Sequence, residues 1–255
     1  MDTMMIDHSW NIPYILLSIG IAVITSFFAL ELARRFRRTD SRMAPLILGT
    51  VLGYGIWAMH FVGMLAFELH SSFSYELPRT LISGVAAIIF LIAACFFWDG
   101  GSATPARIGG SGVIAGTGIV LMHYLGMSAL QLNATTSYVP GAFIVSVLIA
   151  VGAATAAFYL FTRAMATQLA TLPRIGLQIG AALVMGAAIA GMHYTGMAAI
   201  HFSPKNTASI NVTSGSDSQG LVFLILGLTL VVFLLTFTFI LADQMTKKPI
   251  GAASD

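Results

Sequence analysis

Three stretches of this chain repeat one arrangement of imidazole and thioether. The first reads Met59-His60-Phe61-Val62-Gly63-Met64, the second Met122-His123-Tyr124-Leu125-Gly126-Met127, and the third Met192-His193-Tyr194-Thr195-Gly196-Met197. A glycine stands seven residues before each histidine and an isoleucine four before: Gly53 and Ile56, Gly116 and Ile119, Gly186 and Ile189. Neutral imidazole is a good ligand for copper, zinc, iron and nickel, and a thioether is a soft ligand that favours Cu(I). Three such segments round a common axis would offer nitrogens, sulfurs or a mixture. That donor set favours copper over magnesium or calcium, which take oxygen ligands. Three histidines and a water also make a tetrahedral zinc site, and haem between two of the histidines is a further variant. The competing account is structural: each histidine hydrogen-bonds a carbonyl of the next segment, and each methionine fills a core.

The motifs need helices to aim them. At about 100° per residue, the histidine, the glycine seven back, the isoleucine four back, the glycine three ahead and the methionine four ahead fall within about 60° of one another. The methionine just before each histidine lies to one side. Glycines on the stripe let neighbouring backbones approach closely, so this face turns toward protein and not lipid. The histidines are 63 and 70 residues apart, a period that fits one helical hairpin. The chain therefore reads as three tandem hairpins and a last helix, related by an axis along the membrane normal. Helices 2, 4 and 6, which carry the motif, are expected to be the inner ones.

The setting is a membrane. Of 255 residues, 57% are hydrophobic and 9% charged, against about 25% charged in soluble domains. Seven apolar runs reach the roughly 20 residues needed to cross a bilayer: Pro13–Leu32, Pro45–Phe67, Thr80–Trp98, Ile108–Leu130, Pro140–Thr162, Ile175–Ile200 and Leu221–Ala242. The fold class is all-α and polytopic. Residues 1–12 form an outer tail, 13–242 the seven-helix domain, and 243–255 a short inner tail. Arg34, Arg35, Arg37, Arg38, Arg42, Arg107, Arg163, Arg174, Lys247 and Lys248 fall on one side, and only Arg79 and Lys205 on the other. By the positive-inside rule the N-terminus is outside and the C-terminus cytoplasmic. The start, with Asp2 and Asp7 and no basic residue, is not a signal peptide. A single cysteine, Cys95, excludes an internal disulfide and any Cys-rich metal site.

Other polar residues carry less. His70 and His201 stand just beyond helices 2 and 6, with Glu68 nearby, and His8 joins Met1, Met4 and Met5 in the outer tail. They read as solvated residues, or as an entry path for metal. Glu31 and Asp243 read as interfacial residues at the inner ends of helices 1 and 7. The middle of the membrane has no Asp, Glu, Lys or Arg, which counts against a proton pump or an ion-coupled transporter.

The three copies of Met-His-(Phe/Tyr), the last spelling Met192-His193-Tyr194-Thr195 in full, resemble the MHYT domain. The resemblance spans nearly the whole chain and implies a sensor of the bacterial cytoplasmic membrane, with the motif near the outer face. It implies copper held by His60, Met64, His123, Met127, His193 and Met197, with Met59, Met122 and Met192 as secondary ligands. It implies detection of oxygen, carbon monoxide or nitric oxide as a diatomic gas ligand. Many family members attach a cytoplasmic output domain. This chain is therefore expected to signal through a cytoplasmic partner, or to be the sensor part of a longer protein, and not to be an enzyme. Two alternatives use the same ligands. A copper-handling or transport protein would need a polar route through the inner halves of helices 2, 4 and 6, which are Gly, Ile, Leu and Val. An intramembrane three-His hydrolase would need a general base at the motif depth.

Overall fold

A computed structural model describes residues 8–36, 43–69, 73–98, 104–132, 134–166, 171–204 and 218–246. Seven helices run through it: α1 (Ile12–Phe36), α2 (Met43–Leu65), α3 (Leu77–Trp98), α4 (Pro105–Ser128), α5 (Pro140–Ala166), α6 (Thr171–Ala198) and α7 (Ser218–Thr246). All seven are long and apolar enough to cross a membrane. Six short strands were not foreseen from sequence. These are β1 (His8–Trp10), β2 (Phe67–Leu69), β3 (Phe73–Tyr75), β4 (Leu130–Leu132), β5 (Ala134–Tyr138) and β6 (Ile200–Pro204).

The strands define the repeat. β1 pairs with β2, β3 with β4 and β5 with β6, all antiparallel. Each hairpin is thus strand, helix, helix, strand, tied shut at the end where the motifs lie. The tie is the same each time: Asn11, Glu76 and Val139 donate backbone N–H to the carbonyls of Ala66, Ala129 and Ala199, each at 2.8 Å. Those alanines come six residues after the motif histidines and are fully buried. Short β-rich stretches such as Ala134-Thr135-Thr136-Ser137-Tyr138 satisfy their backbone groups by pairing where the helices end.

Helices α1 to α6 form a closed ring. Each packs on its neighbours in sequence, and α6 returns to pack on α1. The glycine seven before each histidine makes the close approach to the next hairpin. A Cβ at Gly53 would meet the backbone of Ile88 in α3, at Gly116 that of Val151 in α5, and at Gly186 that of Val23 in α1. Within the ring the motif helix is the more buried of each hairpin's pair, α2 over α1, α4 over α3 and α6 over α5, as expected of inner helices. Among the motif helices α2 is the most shielded, with 83% of its apolar stretch buried against 44% for α4 and 39% for α6. The difference is α7, which lies outside the ring against α2 and α1. The Tyr54 hydroxyl on α2 lies 3.2 Å from the Ile225 carbonyl and 3.1 Å from Thr229 Oγ1 on α7.

Glu31, expected at the interface, is buried, and Arg34 and Arg35 of the same helix both pair with it. Cys95 is a free, buried thiol.

Candidate functional site

The stripe drawn from helical periodicity faces the ring's axis. His60, His123 and His193 are each 1% exposed, and one ligand atom from each lies within 4.8 Å of the other two. His60 Nδ1 sits 3.1 Å from His193 Nδ1 and 3.1 Å from His123 Nδ1. The rings meet edge to face, with centroids 4.8, 5.0 and 5.3 Å apart.

Glycine makes this possible. The Nε2 side of each ring lies on the glycine three past the histidine of another motif: His60 on Gly126, His123 on Gly196 and His193 on Gly63. The pattern runs cyclically through α2, α4 and α6, so each motif both supplies a ring and receives one. Any side chain at these glycines would occupy the space of the imidazole.

The nitrogen geometry limits the protonation states. An imidazole nitrogen has one in-plane site, either an N–H or a lone pair. His60 Nδ1 faces two other Nδ1 atoms and cannot make an ordinary hydrogen bond to both. The three Nε2 atoms are buried with no hydrogen bond of standard geometry among the described residues. The backbone groups that reach His123 and His193 are those of Gly196 and Gly63. If the ring protons sit on Nε2, three lone pairs converge in an apolar enclosure, and a cation relieves their repulsion. At metal–nitrogen distances of 2.0–2.1 Å, three ligands of a trigonal or tetrahedral site stand about 3.3–3.6 Å apart. Two separations of 3.1 Å lie close to that spacing, and the third is no longer than 4.8 Å. The six motif methionines are also buried. Met64, Met127 and Met197 lie one turn nearer the strands, about 6 Å along the axis from the histidines.

Serines missed in the sequence support the aromatic next to each histidine. Tyr194 Oη lies 2.8 Å from Ser18 Oγ on α1, and Tyr124 Oη 2.7 Å from Ser146 Oγ on α5. Each serine donates to the carbonyl three residues back, Ile15 and Phe143, so each tyrosine is the donor to its serine. In the first motif Phe61 has no hydroxyl, and the equivalent serine, Ser83, accepts from Trp57 Nε1 at 3.2 Å instead. The available signal was the spacing of Ser18, Ser83 and Ser146, 65 and 63 residues apart, which matches the hairpin period. These contacts fix the helical rotation that aims each histidine inward.

On the side of the histidines away from the strands is an apolar cavity of about 40 Å³. Ile56, Ile119 and Ile189, each one turn from a motif histidine, line it with Met192 and with Phe158 and Phe161 of α5. A chamber lined this way stays dry.

The weaker candidates do not join the centre. Glu68 accepts from Ser9 and Asn11 at the exposed strand end. His201 lies exposed in β6, opposite Ser137, and His8 pairs with Leu69 in the first strand pair. Met1, Met4, Met5 and His70 lie outside the described residues, as does the side chain of Asp243.

Comparison with known proteins also finds three repeats, each starting in a motif helix and so offset by one helix from the strand-tied hairpins. The family model MHYT, described as a bacterial signalling protein N-terminal repeat, matches residues 53–111, 116–172 and 186–248. Pseudomonas aeruginosa MucR, a bifunctional diguanylate cyclase/cyclic di-GMP phosphodiesterase, is 36% identical over 243 residues, which is 94% of this chain and 35% of that protein. The signaling protein YkoW of Bacillus subtilis is 33% identical over 202 residues, 78% of this chain and 25% of its own. The cyclic di-GMP phosphodiesterase NbdA of P. aeruginosa is 34% identical over 214 residues, again 78% of this chain and 25% of its own. The chain thus spans a quarter to about a third of these relatives. No solved structure matches it.

Proposed function

The chain belongs to the MHYT family of bacterial signalling proteins, and from that membership we propose a multi-pass sensor of the bacterial cytoplasmic membrane that binds copper between His60, His123 and His193. The observation that carries the reading is the convergence of three imidazole nitrogens, from three repeats, in an enclosure that no described carboxylate enters. Neutral imidazole and thioether suit Cu(I), and Met64, Met127 and Met197 supply sulfur on the same helix faces, with Met59, Met122 and Met192 beside them. Copper held this way would carry an open coordination position for a diatomic gas. Such gases are apolar and small enough for the dry chamber beside the histidines. Apolar walls there favour sensing over copper transport, which needs a polar path.

The route to an output runs through α2. His60 and Tyr54 share that helix, and Tyr54 holds α7. With the motif end outside and the Arg-rich end in the cytoplasm, a shift of α2 on ligand binding would move α7 and carry the motion to the cytoplasmic surface. Relatives named as diguanylate cyclase and cyclic di-GMP phosphodiesterase support a cytoplasmic signalling partner or output of that kind.

The test is copper content of purified, reconstituted protein, wild type against single His→Ala variants. We expect about one copper per chain in the wild type and loss in each variant. Wild type without copper, or three variants that retain it fully, refutes the assignment. A Soret band in the absorption spectrum would replace copper with haem.

A further inference from the structure

At the end of the bundle opposite the histidines, α1, α5 and α6 enclose a second cavity, of about 70 Å³. Its floor is aliphatic, with Leu30, Leu160 and Leu177, while Arg34, Arg163 and Arg174 stand round it. Each arginine comes from a different helix. Near the sequence ends of those helices they would share one membrane surface.

Among the described residues that line this pocket, the charged ones are all arginines. Glu31 is shared by Arg34 and Arg35. Arg163 donates Nε to Tyr159 Oη at 3.0 Å and stacks on the same ring at 5.3 Å. Arg174 makes no hydrogen bond or ion pair among the described residues, and its Nε is buried without a partner. A guanidinium held against leucines with a buried, unmet N–H is costly unless an anion completes it. Planar guanidinium groups suit phosphate oxygens.

We propose that this pocket binds the phosphate of an anionic phospholipid, its headgroup among Arg34, Arg163 and Arg174 and its first acyl carbons on the leucine floor. Lipid is favoured over a free anion because the floor is apolar and the seam opens toward lipid. Leu172 and Leu177 at the start of α6 are 82% and 55% exposed. Basic pockets between membrane helices are a recurrent means of holding anionic headgroups. The site lies on α1, α5 and α6, away from the histidine centre, and does not depend on the metal reading.

Native mass spectrometry of the full chain in detergent, with matched additions of phosphatidylglycerol, phosphatidylcholine or inorganic phosphate, tests the proposal. We expect phosphatidylglycerol to be retained at least fivefold more tightly than phosphatidylcholine. Arg174→Gln should weaken phosphatidylglycerol about fivefold, the factor associated with one basic contact near a membrane surface. Arg107→Gln removes an exposed arginine at the same end but outside the pocket, and should leave retention unchanged. Shielding of Cys95 from maleimide checks that each variant is folded. If Arg174→Gln does not fold, Arg163→Gln is read in its place. Equal retention of the two lipids, binding of inorganic phosphate as tight as that of lipid, a pocket variant that binds like wild type, or equal losses in the pocket and Arg107 variants would each overturn it.

Discussion

Gly126→Ala puts the packing of the centre to a direct test. A Cβ at this position would stand 2.5 Å from His60 Nε2, 3.0 Å from His60 Cδ2 and 3.4 Å from Phe61 Cζ. Ordinary contact begins near 3.4 Å, so the ring must retreat by about 1 Å. It has nowhere to go, because the push drives Nδ1 toward two other Nδ1 atoms already 3.1 Å away. The helices must part instead, and overpacking of this kind costs about 1–3 kcal/mol. Gly191→Ala is the matched control, one residue before Met192 on α6, with no atom within 4 Å of the added methyl. There the only change is helix propensity, a gain of up to about 1 kcal/mol. Both positions are helical, so that gain is common to the two variants, and they should differ by the overpacking cost of about 1–3 kcal/mol. Thermal unfolding in detergent measures the gap, and copper content of the same samples reads the centre. If Gly126→Ala matches Gly191→Ala in both measurements, the rings do not rest on the motif glycines and the account of the site fails.

The contacts around the centre and the charge asymmetry give two more expected outcomes. Tyr194→Phe leaves Ser18 without its donor and should cost about 0.5–1.5 kcal/mol in the same unfolding assay, with Tyr124→Phe alike through Ser146; no change would mean these hydroxyls do not hold the helix rotation. Reporter fusions after Lys248 should read cytoplasmic and fusions in the 131–139 stretch external, since ten of the twelve basic residues fall on one side; the reverse pattern would move the motif to the inner face.

The sequence by itself determined the seven membrane crossings, the three-hairpin repeat and the inward stripe. Long apolar runs have no other stable state in a bilayer than helix, and the 3.6-residue period then fixes which side chains share a face. Repetition of Gly, Ile, His, Gly and Met on that face was enough to bring His60, His123 and His193 together in expectation. Tertiary structure alone decided how they meet. Nothing local in the sequence says that His60 rests on Gly126, or that Ser18 answers Tyr194 across 176 residues, because such contacts depend on how one hairpin docks on the next and how the last closes on the first. The placement of α7 against α2, which makes α2 the most buried of the three motif helices, was equally hidden. A uniformly apolar helix looks the same from sequence whether lipid or protein covers it, and only the packing partner distinguishes the two.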